Sequence, residues 1–525
     1  MKYFFLLWSF VFSALAQGQV TLLSETFPNA NGFANWNNLD LSDTTRPKFL
    51  MNVGQSGTVF TTQANGYPYT FANAGLTTAK AYNTALWNRA SINCTGIPIV
   101  ILKFEEVYNS NTQTFPGNLV YFDSTFVEVS KDSINWVKFL VRTGGPIITG
   151  KKYVNISSEA ANQANVFIRF RSKGLYWYVW FLDDIEVIQP DSFNVKNNFV
   201  ANPEYLTAGN INIATNVTNN GSVPITSLEL TYTINGANPK TATVTGLNIA
   251  PLGSANVTHT IPWNATPGFY NIAVTTGKVN GSPDGTPSDN DALKDVVVAN
   301  SFVPRKPFFE IFTSSTNSFC FSGNVNYRNV VFFKNDTSYV DIKYQQDFPT
   351  NGDPYCTGEA INRRNVPYSI NSIPRMEVNG GFDDITANFN ETVYQNALNT
   401  PAAYELTGEY SVDTITKTIN DIKIKYKPLL DMAPTFTKLF VAIVETSTKN
   451  NAKTNGETTF YNVLKKMVPN SNGVTITTLT ANTLDSLVTS YTFNGTYRLP
   501  IDGQPANRID HTIEHSVENF NNLKV

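Results

Sequence analysis

Cysteine, histidine and charge are all scarce in this chain. Its 525 residues include three cysteines and three histidines, and 15% are charged, with a net charge of −3. An odd cysteine count leaves at least one thiol without an intramolecular mate. His259, His511 and His515 join no cysteine pair at zinc-like spacing, which argues against a transition-metal enzyme. A slightly acidic, weakly charged chain excludes nucleic acid as a serious partner. No Gly-x-Ser-x-Gly elbow, His-Glu-x-x-His pair or phosphate-binding loop occurs, so the familiar enzyme constellations are missing too. Nor is any apolar run long enough to span a membrane.

What the chain does have begins with an export signal. Lys2, an apolar run from Tyr3 to Phe12 and Ala14-Leu15-Ala16 have the form of a secretory signal peptide, residues 1–16, cut before Gln17. No cysteine follows the cleavage site, so a lipid anchor there is not expected. The protein is therefore expected to be secreted or held at the outer surface. Its length suits roughly three or four domains.

Residues 19–190 alternate in short runs broken by Gly, Asn, Asp and Pro, the pattern of an all-β sandwich. Val166, Ile168 and Phe170 share one face of a strand, and Phe126-Val127-Glu128-Val129 leads into a turn at Lys131-Asp132-Ser133. The opening Ser24-Glu25-Thr26-Phe27 and the closing Asp183-Asp184-Ile185 resemble the jelly-roll modules of the MAM and choice-of-anchor type. A second β module spans 191–302, with strand-to-turn transitions at Asn216–Ser222 and Leu228–Gly236 and a late strand from Phe269 to Val274. It resembles the immunoglobulin-like CARDB spacers of exported bacterial proteins.

Past a linker at Pro304–Pro307, the stretch Phe308 to Asn324 has the form of a strand, a turn and a helix start, with Asn317 three residues before Cys320. Ser372-Ile373-Pro374-Arg375 then opens an apolar strand. Together they resemble a thioredoxin-like domain over 305–400, in which a Cys-x-x-Cys turn faces a cis-proline. The resemblance implies that Pro374 is cis and that Asn317 stands where the attacking cysteine would be. Thiol exchange requires a thiolate nucleophile. An asparagine supplies none, so the motif is expected to be redox-inactive. From 401 to 525 strands return, with Ile422 to Lys427 alternating and Phe440 to Val444 apolar, and a C-terminal β-sandwich is expected. The motifs Phe312-Thr313-Ser314-Ser315-Thr316, Gly352-Asp353-Pro354-Tyr355, Asn371-Ser372-Ile373-Pro374 and Glu514 to Phe520 together resemble the twenty-eight-kilodalton outer-membrane protein family of bacteria with type IX secretion. Relatives in that family carry on beyond this point and often end in a sorting domain, whereas this sequence stops at Leu523-Lys524-Val525, so either the chain is truncated or its secretion route is not encoded in it.

Each candidate site has a structural counter-reading. Cys320 is either a monothiol for exchange or a buried core residue; Cys320 and Cys356 either form a disulfide or remain two buried thiols; Cys94 belongs to the first core. The jelly-roll resemblance implies Glu25 and Asp184 on neighbouring strands as ligands of a structural Ca²⁺. Against that, Asp183 or Asp184 would pair with Arg169 or Arg171, or cap the strand. Tyr176, Trp177, Tyr178 and Trp180 form either a sugar-stacking platform or part of the sandwich core, and alternation favours the core. The acidic loop Asp284 to Asp291 either holds a cation or is shaped by its Pro and Gly. The expected function is binding, adhesion or display toward protein or glycan ligands, with no cofactor beyond the possible Ca²⁺. An envelope thiol oxidoreductase using Cys320 and a glycan-binding N-terminal jelly roll are the alternatives.

Overall fold

The computed structural model describes residues 18–27, 33–41, 49–52, 67–71, 82–110, 113–115, 119–121, 124–143, 148–174, 178–335, 337–432, 437–476, 480–499 and 508–525. The expected signal peptide, Tyr176 and Trp177 lie outside these residues. The chain is mainly β and forms two compact units. No helix among the described residues is long and apolar enough to cross a membrane.

The first unit comprises residues up to Asn202, Asn212–Pro262 and Asn271–Lys294. Its N-terminal part is a two-sheet sandwich. One sheet has the order Ile148–Asn155, Ile101–Ser110, Tyr178–Gln189, Tyr67–Phe71, Leu50–Asn52, with Val20–Glu25 also paired to Tyr178–Gln189. The other has the order Val137–Thr143, Ser124–Ser130, Phe167–Gly174, Tyr82–Asn88, Trp36–Asp40. Strand alternation sends Val127, Val129, Ile168, Phe170 and Leu86 inward from the second sheet, against Leu102, Phe104, Trp180 and Leu182 from the first. Trp180 is fully buried, which settles its role as core. Cys94 lies in the same core, its thiol pushed up to about 11 by burial. In the immunoglobulin-like part, Ala214–Asn219 pairs with Val195–Val200 and Ser254–Thr258, and Ile225–Ile234 pairs with Ala237–Ile249 and Gly268–Val279. Val195, Val217, Leu228, Leu230, Val257 and Val279 close its core.

In the second unit a seven-stranded sheet has the order Phe382–Asp384, Arg375–Val378, Phe308–Thr313, Val340–Gln345, Phe460–Val468, Val441–Thr448, Leu523–Lys524. Phe308–Thr313 runs parallel to Val340–Gln345 and antiparallel to Arg375–Val378. Helices Ser318–Val331, Gly358–Asn365 and Glu391–Asn399 connect or follow these strands. The boundary expected near residue 400 needs correcting. Val441–Thr448 and Phe460–Val468 extend the α/β sheet, and they also pack against the Tyr404–Asp413, Thr418–Pro428, Asp485–Thr492 sheet through Ile419, Ile422, Val441, Ile443 and Val468. Residues 401–525 thus stack sheet on sheet but share one of those sheets with the region before them.

Candidate functional site

Asn317 precedes the first turn of helix Ser318–Val331 with extended backbone and caps it. Its Oδ1 accepts from the Phe319 N–H at 2.8 Å and the Cys320 N–H at 3.2 Å. Its Nδ2 donates to the Ile373 carbonyl at 3.3 Å, across to the Ile373–Pro374 bond, which is cis. The side chain at 317 therefore spends its polar atoms on structure. Cys320, one turn in, is fully buried beside Phe312, Tyr344 and Ile373. Burial pushes its thiol up to about 11, outweighing hydrogen bonds with the Thr313 side chain and the Ser314 backbone. The carboxylates of Glu457 and Asp353 add to that rise. A thiol held protonated and away from solvent does not initiate exchange.

Of the two readings for Cys320 and Cys356, bridged or separate, the structure has the second: both thiols are free and buried. The Cys356 Sγ–H faces the carbonyl of Thr357 at 3.8 Å, whereas the Cys320 thiol faces Thr313 and Ser314. Burial raises the Cys356 thiol as well. Asp353, in the same region, is fully buried and pushed up to about 6 by burial. It accepts from the Ser315 and Tyr355 backbone amides at 3.0 and 2.8 Å.

Glu25 and Asp184 do sit on neighbouring strands, since Glu25 is in register with Ile185. The Glu25 carboxylate is engaged by protein donors, the Phe27 N–H at 2.9 Å and the Trp36 indole N–H at 3.1 Å. Asp184 lies at a register shift with φ of 46°, its N–H donating to Asp183 Oδ1 at 2.8 Å. Ca²⁺ takes six to eight oxygens. Among the described residues no group of three or more His, Cys, Asp or Glu side chains is placed to hold a metal. That statement covers the acidic loop Asp284 to Asp291 too, where Asp284 instead accepts from the Val195 and Thr286 backbone amides.

Arg169 and Arg171 pair with Glu128 and not with Asp183 or Asp184. Arg169 Nε reaches Glu128 Oε2 at 2.5 Å, and Arg171 Nη1 reaches Glu128 Oε1 at 2.9 Å. All three side chains lie on the outer face of the five-stranded sheet, opposite the core positions Ile168, Phe170, Val127 and Val129. Cross-strand register sets a row there: Asn37, Trp87, Arg169, Glu128, Lys138. Beside it runs Leu39, Ala85, Arg171, Phe126, Leu140. Trp136, just past the Lys131–Ser133 turn, covers the Arg169 guanidinium at 4.0 Å and meets Trp87 edge-on at 6.3 Å. Arg171 Nε donates to Asn83 Oδ1 at 2.7 Å, and the Lys138 ammonium lies 4.5 Å from the Phe126 ring. Two half-buried tryptophans thus flank fixed guanidinium and amide groups, the mixture of flat apolar surface and aimed polar atoms that sugar rings require. Sequence reasoning missed this face because it looked for aromatics close together in sequence. Trp87 and Trp136 lie on elements far apart in the chain.

No protein-family model matches the chain, and no curated protein matches it. Solved structures similar to parts of it include the CARDB domain of a Pyrococcus furiosus protein in complex with di-metal ions. That likeness is 24% identical over 20% of this chain and 90% of that one, with a TM-score of 0.16. The K1 cleaved adhesin domain of Lys-gingipain from Porphyromonas gingivalis is 16% identical over 32% and 97%, at 0.24. A carbohydrate-binding module in complex with β-1,4-galactotriose is 11% identical over 31% and 98%, at 0.21.

Proposed function

We propose that this chain is an exported, surface-displayed binding protein that recognises glycans through the outer face of its N-terminal five-stranded sheet. In this reading residues 305–400 are a thioredoxin-like scaffold kept without thiol chemistry, and the protein works without a cofactor. The observation that carries the reading is the row Trp87, Arg169, Glu128 with Trp136 stacked over Arg169. Rings on this face offer a stacking surface, and the Arg–Glu–Arg cluster holds its donors rigid. The buried, protonated Cys320 and the capping Asn317 favour binding over the oxidoreductase alternative.

A glycan array probed with the whole chain tests the proposal, followed by titration of the best ligand. Trp136→Ala and Trp87→Ala should each weaken binding by about tenfold, the scale of losing one stacking ring. Their melting temperatures should stay near wild type, because both rings are partly exposed. Binding to no glycan, or binding untouched by both substitutions, would remove this face from consideration.

A further inference from the structure

Resting on that reading, we infer that the ligand is an acidic polysaccharide, one bearing carboxylate or sulfate groups, held along the strand Phe167–Gly174. Alternation places Arg169, Arg171 and Lys173 on the same outer face of this central strand, and Lys138 lies two strands across. The five strands of the sheet carry two carboxylates, Asp40 and Glu128. Asp40 is an even number of residues from the core residue Trp36, so it belongs to the opposite face from Asn37 and Leu39. Four cations therefore share a face with one carboxylate.

The hydrogen-bond accounting gives the same sign. The two Glu128 oxygens are taken by Arg169 and Arg171, and Asn83 Oδ1 is taken by Arg171. The one outward carboxylate of these strands and the Asn83 amide oxygen are thus already engaged by the face's own donors. Lys173 and Lys138 remain as exposed donors, and among the described residues neither forms an ion pair with a carboxylate. A neutral sugar presents hydroxyls that need acceptors as well as donors. The carboxylate of a uronate and a sulfate ester group are acceptor-only, matching the exposed Lys138 and Lys173 donors. The tryptophans would stack on the rings between the charged groups.

Affinity electrophoresis of the whole chain through gels containing polygalacturonate, chondroitin sulfate, neutral galactan or poly-glutamate tests this. Retardation by either acidic polysaccharide is expected. It should weaken at least about tenfold as NaCl rises from about 50 to about 500 mM, where the screening length falls several-fold. The Lys138→Ala/Lys173→Ala double variant should lose a similar factor at an unchanged melting temperature. Equal, salt-insensitive retardation by galactan would overturn the acidic ligand while leaving sugar recognition standing. Equal retardation by poly-glutamate would overturn it in favour of a general polyanion site. Retardation by no polysaccharide would overturn both this inference and the reading beneath it.

Discussion

At position 317 a single atom type decides the chemistry. A cysteine there would place a thiolate against the N–H groups of Phe319 and Cys320, and the dipole of the helix start would stabilise it. The amide oxygen of Asn317 takes those N–H groups instead. The whole chain should therefore show no disulfide reductase activity in an insulin-reduction assay, and its native thiols should label slowly. Asn317→Cys should be required before turnover appears. Turnover by wild type at an ordinary thioredoxin's rate would refute the redox-inactive reading. His515 offers a second residue-scale test. It is buried among Phe493, Phe520 and Tyr497, and its imidazole is held down to about 4 by burial, with Lys417 and Lys465 opposing its charge. The unfolded chain takes up this proton near the ordinary 6.5, whereas the folded protein resists until about 4. The stability His515 contributes is thus complete above the unfolded value and is lost as pH falls from 6.5 towards 4. His515→Gln should flatten the fall in denaturation midpoint across that window; an unchanged slope would contradict this assignment.

Helix Ser318–Val331 owes its close seating to one missing side chain. A Cβ at Gly323 would stand 2.0 Å from Thr386 Oγ1, 3.1 Å from Thr386 Cβ and 3.4 Å from Pro374 Cγ. Thr386 is fully buried, and the same helix is tied across by Asn326 Nδ2 to the Thr386 and Phe389 carbonyls. The helix cannot move away without breaking those bonds. Gly323→Ala should accordingly destabilise the protein by about 1–3 kcal/mol, although alanine is the better helix former. Gly323→Ala with Thr386→Ser would leave the Oγ clash in place, whereas Gly323→Ala with Thr386→Ala should recover most of the loss. A stabilised single variant, measured by urea denaturation, would show that the helix is not seated as described.

For the second unit as a whole, the consequence of the shared sheet is cooperative folding. Val340–Gln345 is hydrogen-bonded on one side to Phe308–Thr313 and on the other to Phe460–Val468. The sheet face there carries Lys465 and Glu445, both fully buried and 3.1 Å apart, with the Lys465 ammonium 3.5 Å from the Tyr355 ring. Glu445 also accepts from the Asn519 N–H at 2.7 Å, and Lys465 donates to the Ser516 carbonyl at 2.7 Å. Removing residues 401–525 would strip the partner strand from Val340–Gln345 and expose Tyr355 and the polar layer around Asp353. A chain ending at residue 400 should lose the native fold of 305–400, seen as loss of near-ultraviolet circular dichroism and rapid proteolysis. Independent, cooperative unfolding of that shortened region would restore the boundary expected from sequence.

Periodicity along the chain was enough to place the sandwich strands, because alternation and turn residues act locally. The same local logic made Asn317 readable as a cap and as a lost nucleophile. The pairing of Arg169 with Glu128, 41 residues away, was not readable, since it depends on which strands become neighbours and in what register. That Cys320 and Cys356 are two free, buried thiols was likewise not readable, because spacing in the sequence does not say which way two side chains point. Burial, which holds the Cys320 thiol protonated, comes from residues as distant as Ile373 and Leu464 packing around it. The sequence by itself determined which chemistry position 317 could never perform. Only the tertiary structure decided which polar groups remained available at the surface, because each hydrogen bond formed across strands removes an acceptor that a ligand would otherwise use.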